Sequence, residues 1–335
     1  MKEKSEKILF DTIKKIKPLD KIRMKKKENE LNSLLKTPKG LGKLEELAIK
    51  LEGMSENYKP KKKMVLVMAA DNGVEHEKIS KSKRVITQYV VEAMLNGKSS
   101  INALAAVYNA DVKVVDLGID KRSDTKKEIN LTGTIEKKLM EFGTENIAKE
   151  AAMSYETTVK AINTGIELVN KFVKEGYNLF ATGEMGIGNT TTSSAILKVL
   201  TNFFSKNEKN KMNEEIYKQK IIDVLAKVGG LDIAGMTGTF LGCAENRIPV
   251  VIDGFISAVA ALVAYKICPI CKDFMIASHL SEEPGMKYIM RELDLKPMLF
   301  MNMKLGEGTG AVMMFPVIEG ACNVTKVVRK YPDVN

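Results

Sequence analysis

Residues 178–192 read Asn178-Leu179-Phe180-Ala181-Thr182-Gly183-Glu184-Met185-Gly186-Ile187-Gly188-Asn189-Thr190-Thr191-Thr192. The apolar start predicts a short strand over 178–181, and the Thr/Ser-rich continuation predicts a helix over 191–204. Between them lie the glycines Gly183, Gly186 and Gly188. Glycine lets the backbone approach a ligand, while unpaired amides and the helix dipole attract negative charge. Hydroxyls of Thr190, Thr191 and Thr192 add donors, and one of them is suited to cap the helix. The segment reads as a phosphate site at a strand–helix corner. A capped turn with glycines for close packing is the structural alternative.

The same alternation of short apolar runs and longer helical patterns extends outward. Further strands are expected at 64–70, 112–117, 249–253 and 274–277, and further helices at 86–108, 145–174 and 254–267. The first two strands are almost wholly apolar, as in a sheet covered on both faces. The expected fold is α/β: a parallel, Rossmann-like sheet with helices on both faces. Residues 36–290 form the catalytic domain in this reading. Residues 1–35 and 291–335 form a small helical subdomain, with loop 304–310 reaching back to the catalytic domain. Segment 121–146 is polar and loop-rich, and 207–213 reads as an exposed connector. Several strands end in polar corners, at Asp71-Asn72-Gly73, Asp116-Leu117-Gly118, Asp253-Gly254 and Ser278-His279. Ligands of open α/β sheets bind at such carboxyl ends.

Composition excludes several classes. A hydrophobic share of 44% and a charged share of 28% are those of a globular protein rather than a disordered one. No run approaches the ~20 apolar residues of a membrane span, and the lysine-studded start lacks a secretory block, so a cytoplasmic location is expected. The net charge is +10, and residues 1–64 carry 19 Lys/Arg against 10 Asp/Glu. That basic arm interleaves its cations with Glu and with Ile8, Leu9, Ile13 and Ile16 at helical spacing, the pattern of a solvated amphipathic helix. Without Trp or alternating aromatics it does not resemble a single-strand nucleic-acid platform. Cys268-Pro269-Ile270-Cys271 is a lone CxxC, and with only His76 and His279 the chain offers no metal site by spacing.

Three further stretches carry chemistry. Lys304-Leu305-Gly306-Glu307-Gly308-Thr309-Gly310 sets a carboxylate among glycines ahead of an apolar helix at 311–321. Such a group is sterically open, and desolvation would make it more basic, as suits a general base. Lys227-Val228-Gly229-Gly230-Leu231-Asp232-Ile233-Ala234-Gly235-Met236-Thr237-Gly238 permits tight helix packing or close backbone contact with a ligand, with Lys227 a candidate anion partner. Gly183-x4-Gly188-Asn189-Thr190 has P-loop spacing but puts Asn189 in place of the lysine that serves β/γ phosphates. Gly186-x-Gly188-x-x-Thr191 lacks the third glycine of the dinucleotide fingerprint. A monophosphate suits both departures.

Taken in order, these segments resemble the nicotinate-nucleotide–dimethylbenzimidazole phosphoribosyltransferases of cobalamin biosynthesis. The resemblance runs from about Gly40 to Ala321. It rests on Pro38-Lys39-Gly40-Leu41-Gly42-Lys43-Leu44-Glu45, Ala70-Asp71-Asn72-Gly73, Leu95-Asn96-Gly97 and residues 183–191. It continues through Lys227-Val-Gly-Gly-Leu-Asp232, Ile252-Asp-Gly-Phe255, Ala277-Ser-His279 and Leu305-Gly-Glu-Gly308.

The resemblance implies transfer of ribose 5-phosphate from nicotinate mononucleotide to 5,6-dimethylbenzimidazole or a related base, with inversion at C1. The products are nicotinate and α-ribazole 5′-phosphate. It implies no cofactor and no metal, a homodimer, and no nucleic-acid or membrane partner. Glu307 matches the family's catalytic glutamate and Glu184 a second one. Gly183, Gly186, Gly188, Asn189, Thr190, Thr191 and Lys227 match the phosphate and ribose segment. Ser80, Gln88, Met185 and Leu305 match the base pocket. Where many relatives have Ala-Asp-His-Gly this chain has Asn72, which does not titrate near neutrality. With the basic segment 78–84 this leaves other acceptors open, among them adenine, a phenol or another benzimidazole. A P-loop-like nucleotide enzyme and a nucleic-acid-binding basic arm are the competing readings.

Overall fold

The computed structural model describes residues 2–122, 129–203 and 213–332. The helices α1 (Lys2–Lys15), α2 (Lys21–Asn32) and α3 (Lys43–Met54) precede strand β1 (Lys62–Ala70). Then come α4 (Ile86–Leu95), α5 (Ser100–Val107), β2 (Ala110–Gly118), β3 (Ile135–Glu136), α6 (Tyr155–Lys174) and β4 (Tyr177–Met185). The order continues with α7 (Asn189–Phe203), α8 (Glu214–Val228), α9 (Leu231–Glu245), β5 (Val250–Ile252), α10 (Phe255–Ile267) and β6 (Met275–Ala277). The last helices are α11 (Gly285–Leu293), α12 (Thr309–Val312) and α13 (Phe315–Val327).

All strands pair in parallel in the order β3-β2-β1-β4-β5-β6. The chain builds outward from β1 through β2 and β3, then returns to the other side of β1 with β4. The switch point therefore lies between β1 and β4, where open α/β sheets hold their ligands. Both strands are buried along nearly their whole length, which explains why they read as apolar runs rather than alternating ones.

Successive residues of β1 face opposite layers. Met68 lies against Gly235 of α9 on one face, and Val65 lies against Gly308, just ahead of α12, on the other. On the first face α6 covers α9 at close range. A side chain at Gly165 or Gly238 would overlap the backbone of the other helix, and one at Gly242 would press on Ile166. Helix packing is thus what the small residues of 229–238 provide.

The chain ends meet: Leu34 bridges to Lys330, α2 and α13 both pack on α3, and α1 packs on α6. Among the described residues no helix is long and apolar enough to cross a membrane.

Three expectations are corrected by local signals. The helix expected over 86–108 is two helices, because Gly97 takes φ +69° and Ser99 starts α5 with a capping box to Asn102. The helix expected from 145 begins at Tyr155 behind the cap of Ser154, whose Oγ accepts the Thr157 N–H at 3.0 Å. The helix expected over 311–321 is α12 followed by α13, with Pro316 in the first turn of α13. The two-residue strand β3 had no sequence signal. Residues 123–128 of the loop-rich segment, residue 204 and residues 207–212 of the connector lie outside the described residues. Asn213 caps α8 by accepting the Glu215 N–H at 2.8 Å.

Replacing Gly238 by Ala drives a methyl into the Ile162 carbonyl of α6. The expected cost is about 1–3 kcal/mol, read as a lower urea midpoint with unchanged slope. An unchanged midpoint would show that α6 and α9 separate without cost.

Candidate active site

A cavity of about 300 Å³ opens over the carboxyl ends of β4, β5 and β6. Its wall includes Glu184, Met185, Gly186, Asn189 and Thr190 from the glycine turn. Asp253 follows β5, His279 follows β6, and residues 304–307 close the far side. The two stretches singled out by the sequence are therefore neighbours. A Cβ on Gly183 would stand 2.6 Å from the Glu307 carbonyl oxygen, and one on Gly306 would strike the Glu184 carboxylate.

The turn carrying Glu307 has an unusual backbone. Gly306, Glu307 and Gly308 all take positive φ, at +86°, +62° and +91°. For a glutamate this left-handed conformation costs about 1–3 kcal/mol. Asp253 supplies the compensation. Its fully buried carboxylate accepts the Gly308 N–H at 3.0 Å and the Ala311 N–H at 2.9 Å, with the Gly310 and Gly254 amides also turned on it. Glu184 grips the same turn from the sheet side by accepting the Glu307 backbone N–H. Gly310 is held so close to the His279 ring that no side chain fits there.

Desolvation governs the acids. Burial, and then the charge of Asp232, pushes Glu184 up to about 8. Burial pushes Asp232 and Asp253 up to about 6, while the hydrogen bonds each accepts pull the other way. Glu307 is half-buried and its carboxyl is raised by burial, opposed by the Ile101 amide in the first turn of α5. Its Oε2 is buried without a hydrogen-bond partner. Glu307 lines the cavity, and a raised carboxyl with one oxygen free of protein donors suits proton abstraction from a ligand.

The other expected site residues divide. Met185, Gly186, Asn189, Thr190 and Leu305 line the cavity with the two glutamates. Gly183 and Gly188 lie behind it, Gly183 under Glu307 and Gly188, at φ +98°, against Asn72. Thr191 sits in the first turn of α7 and is not on the wall. Gln88 is buried elsewhere, donating to the Asp120 carbonyl at 2.6 Å. Ser80 accepts the Ser82 N–H at 3.1 Å, and Ser82 rather than Ser80 reaches the wall. Lys227 is exposed at the end of α8, where its carbonyl accepts the Ala152 N–H at 3.0 Å. The glycines after it let α8 pass directly into α9, and Lys227 is not among the residues of the cavity wall.

Sequence reading missed Asp253, Asp232 and His279 as parts of the site. Asp253 and His279 stood in quoted strand-end corners, which was the available signal. Asn72 caps nothing; its Oδ1 accepts the Thr192 hydroxyl at 3.3 Å inside the switch point.

Comparison with known proteins agrees with this geometry. The family described as Phosphoribosyltransferase matches residues 16–212 and 205–334, which places the chain in that class of transferase. A nicotinate-nucleotide–dimethylbenzimidazole phosphoribosyltransferase of Clostridium tetani is 45% identical over 94% of this chain and 91% of its own. One of Ruminiclostridium cellulolyticum is 43% identical over 93% of both chains. A crystal structure of the enzyme so named from Thermus thermophilus superposes with a TM-score of 0.82. It is 29% identical and covers 93% of this chain and 97% of its own. The chain belongs to the nicotinate-nucleotide–dimethylbenzimidazole phosphoribosyltransferase family.

The raised Glu184 makes stability depend on pH in a defined sense. Its folded value of about 8 lies above the usual 4.5, so the native state holds a proton that the unfolded chain releases. The stability gained from that proton is complete below 4.5 and is lost as pH rises through about 8. A Glu184→Gln protein lacks this dependence. The melting temperature of the unsubstituted protein relative to Glu184→Gln is expected to fall by a few degrees between pH 5 and 9, measured by calorimetry. A constant difference would contradict the assignment.

Proposed function

We propose that this chain transfers ribose 5-phosphate from nicotinate mononucleotide to 5,6-dimethylbenzimidazole, releasing nicotinate and forming α-ribazole 5′-phosphate. The observation that carries this reading is that Glu307, a raised carboxyl with one oxygen left without a hydrogen-bond partner, lines the same cavity as the glycine turn. The names of the relatives and the size of the cavity support the substrates.

An aromatic ring nitrogen attacking C1 becomes cationic, and loss of the proton on its other ring nitrogen stabilises the product. Glu307 accepts that proton, and its raised pKa improves it as a base. Nicotinate departs as a neutral pyridine ring bearing a carboxylate, so its exit needs no acid. Asp253, ionised once pH exceeds about 6, stabilises positive charge developing on the ribose. The first turn of α7, with Thr190 on the wall, faces its dipole toward the cavity and suits the phosphate. Met185 and the exposed Leu305 offer apolar surface to a flat base. Holding both partners for in-line attack supplies the remaining rate through orientation.

The reading extends to a cytoplasmic homodimer built of a catalytic domain (36–290) and a helical subdomain (1–35 and 291–335). Phe300, Met301 and Leu305 support pairing, because they expose apolar surface in one short stretch of chain that ends at the cavity wall, with Phe300 72% exposed. Light scattering is expected to give twice the 37.1 kDa chain mass.

Replacing Glu307 by Gln is expected to lower kcat by about 10²–10⁴ while nicotinate mononucleotide binding changes little. Product mass from a panel of benzimidazoles, adenine and phenols identifies the acceptor in the same assay. Near-normal turnover of Glu307→Gln would remove Glu307 from the role of base.

A further inference from the structure

Asn189 begins α7 and is 6% exposed, yet it belongs to the cavity wall beside Glu184. Its Nδ2 donates to Glu184 Oε2 and also to Asp232 Oδ2, the latter at 3.0 Å. An amide nitrogen has two hydrogens, and here both are committed to carboxylates. The opposite orientation would set the amide oxygen against the Asp232 carboxylate, 3.0 Å away. The side chain is therefore fixed with Oδ1 as the polar atom left for the cavity.

Asp232 does not touch the cavity. It is fully buried in the first turn of α9, where Oδ1 accepts the Ile233 N–H at 3.0 Å and the Asn72 amide also donates to it. Gly230 fits between Asp232 and Asn72 because it lacks a side chain. Held by backbone and amide donors, this acid reaches the wall by its hydrogen bond to Asn189 and by its charge on Glu184.

The consequence concerns which part of a nucleotide meets this wall. Phosphate oxygens only accept hydrogen bonds, so they repel Asn189 Oδ1. A sugar hydroxyl donates, and it matches that oxygen. We propose that Asp232 is a positioning residue that orients Asn189 as the acceptor for a ribose hydroxyl, making the cavity selective for ribose over deoxyribose nucleotides. This rests on the phosphoribosyl-transfer reading and assigns Asn189 to the sugar rather than the phosphate.

The test compares nicotinate mononucleotide with its 2′-deoxy and 3′-deoxy analogues by kcat/KM, with calorimetric titration of the same nucleotides as a readout free of turnover. The unsubstituted enzyme is expected to prefer the ribose form over at least one analogue by about 10²-fold, since a missing hydroxyl leaves a buried acceptor unpaired. Asn189→Ala and Asp232→Ala are expected to reduce that preference about tenfold, acting mainly on the ribose substrate. Asp232→Asn retains an acceptor for the Asn189 amide and is expected to keep the preference. Loss of rate by one common factor on all three nucleotides would show a merely structural role and overturn the proposal. So would an unsubstituted enzyme that turns over or binds the ribose and deoxyribose forms equally. Ribose-selective binding without nicotinate release with any base would instead sink the transfer reading and leave this inference standing.

Discussion

The grip of two buried carboxylates on one turn of backbone holds the site together. Asp253 and Glu184 stand at the ends of neighbouring strands and take amides from residues 307, 308 and 311. Neither acid is free to hydrate, so each must find donors in the protein or hold a proton. The turn has amides to give because its glycines leave them uncovered. A charge-assisted bond of this type contributes about 1.5–3 kcal/mol, so two or three outweigh the cost of placing Glu307 at positive φ. Geometry that would otherwise relax is kept.

The parallel sheet explains why these acids meet. With β4 and β5 adjacent, their carboxyl ends present Glu184 and Asp253 side by side. The return of the chain across β1 brings Asn72 beneath the glycine turn, where its backbone N–H reaches the Ile187 carbonyl at 3.3 Å. Glycines at 183, 186 and 188 are needed because three backbones converge there. At Gly186 a side chain would collide with the Ala70 carbonyl. The same crowding excludes water from the acids and raises their affinity for protons, so fold and chemistry share a cause.

Much of this was legible in the sequence because its signals are local. Apolar runs of strand length, polar strand ends and two glycine-rich corners follow directly from backbone sterics and burial. The residues of the Glu307 turn and the 183–190 corner were found for that reason. What escaped depends on approach between distant segments. Asp232 reads as one acid after two glycines, and nothing nearby announces that α9 brings it behind Asn189. Lys227 reads as an anion partner, yet α8 ends with its side chain in solvent. Ser80 and Ser82 differ only in where the loop before α4 bends. The break at Asn96-Gly97 was locally encoded, and the Ser99–Asn102 capping box marks the restart.

The account's central claim is that a carboxylate held among glycines faces a sugar phosphate held at the neighbouring turn. A crystal of the Glu307→Gln protein soaked with nicotinate mononucleotide and dimethylbenzimidazole tests it most directly. The expected result places the phosphate at the start of α7 and a ring nitrogen of the base within about 3.2 Å of the residue 307 side chain. A base more than about 6 Å from that side chain, with the nucleotide bound elsewhere, would contradict the account.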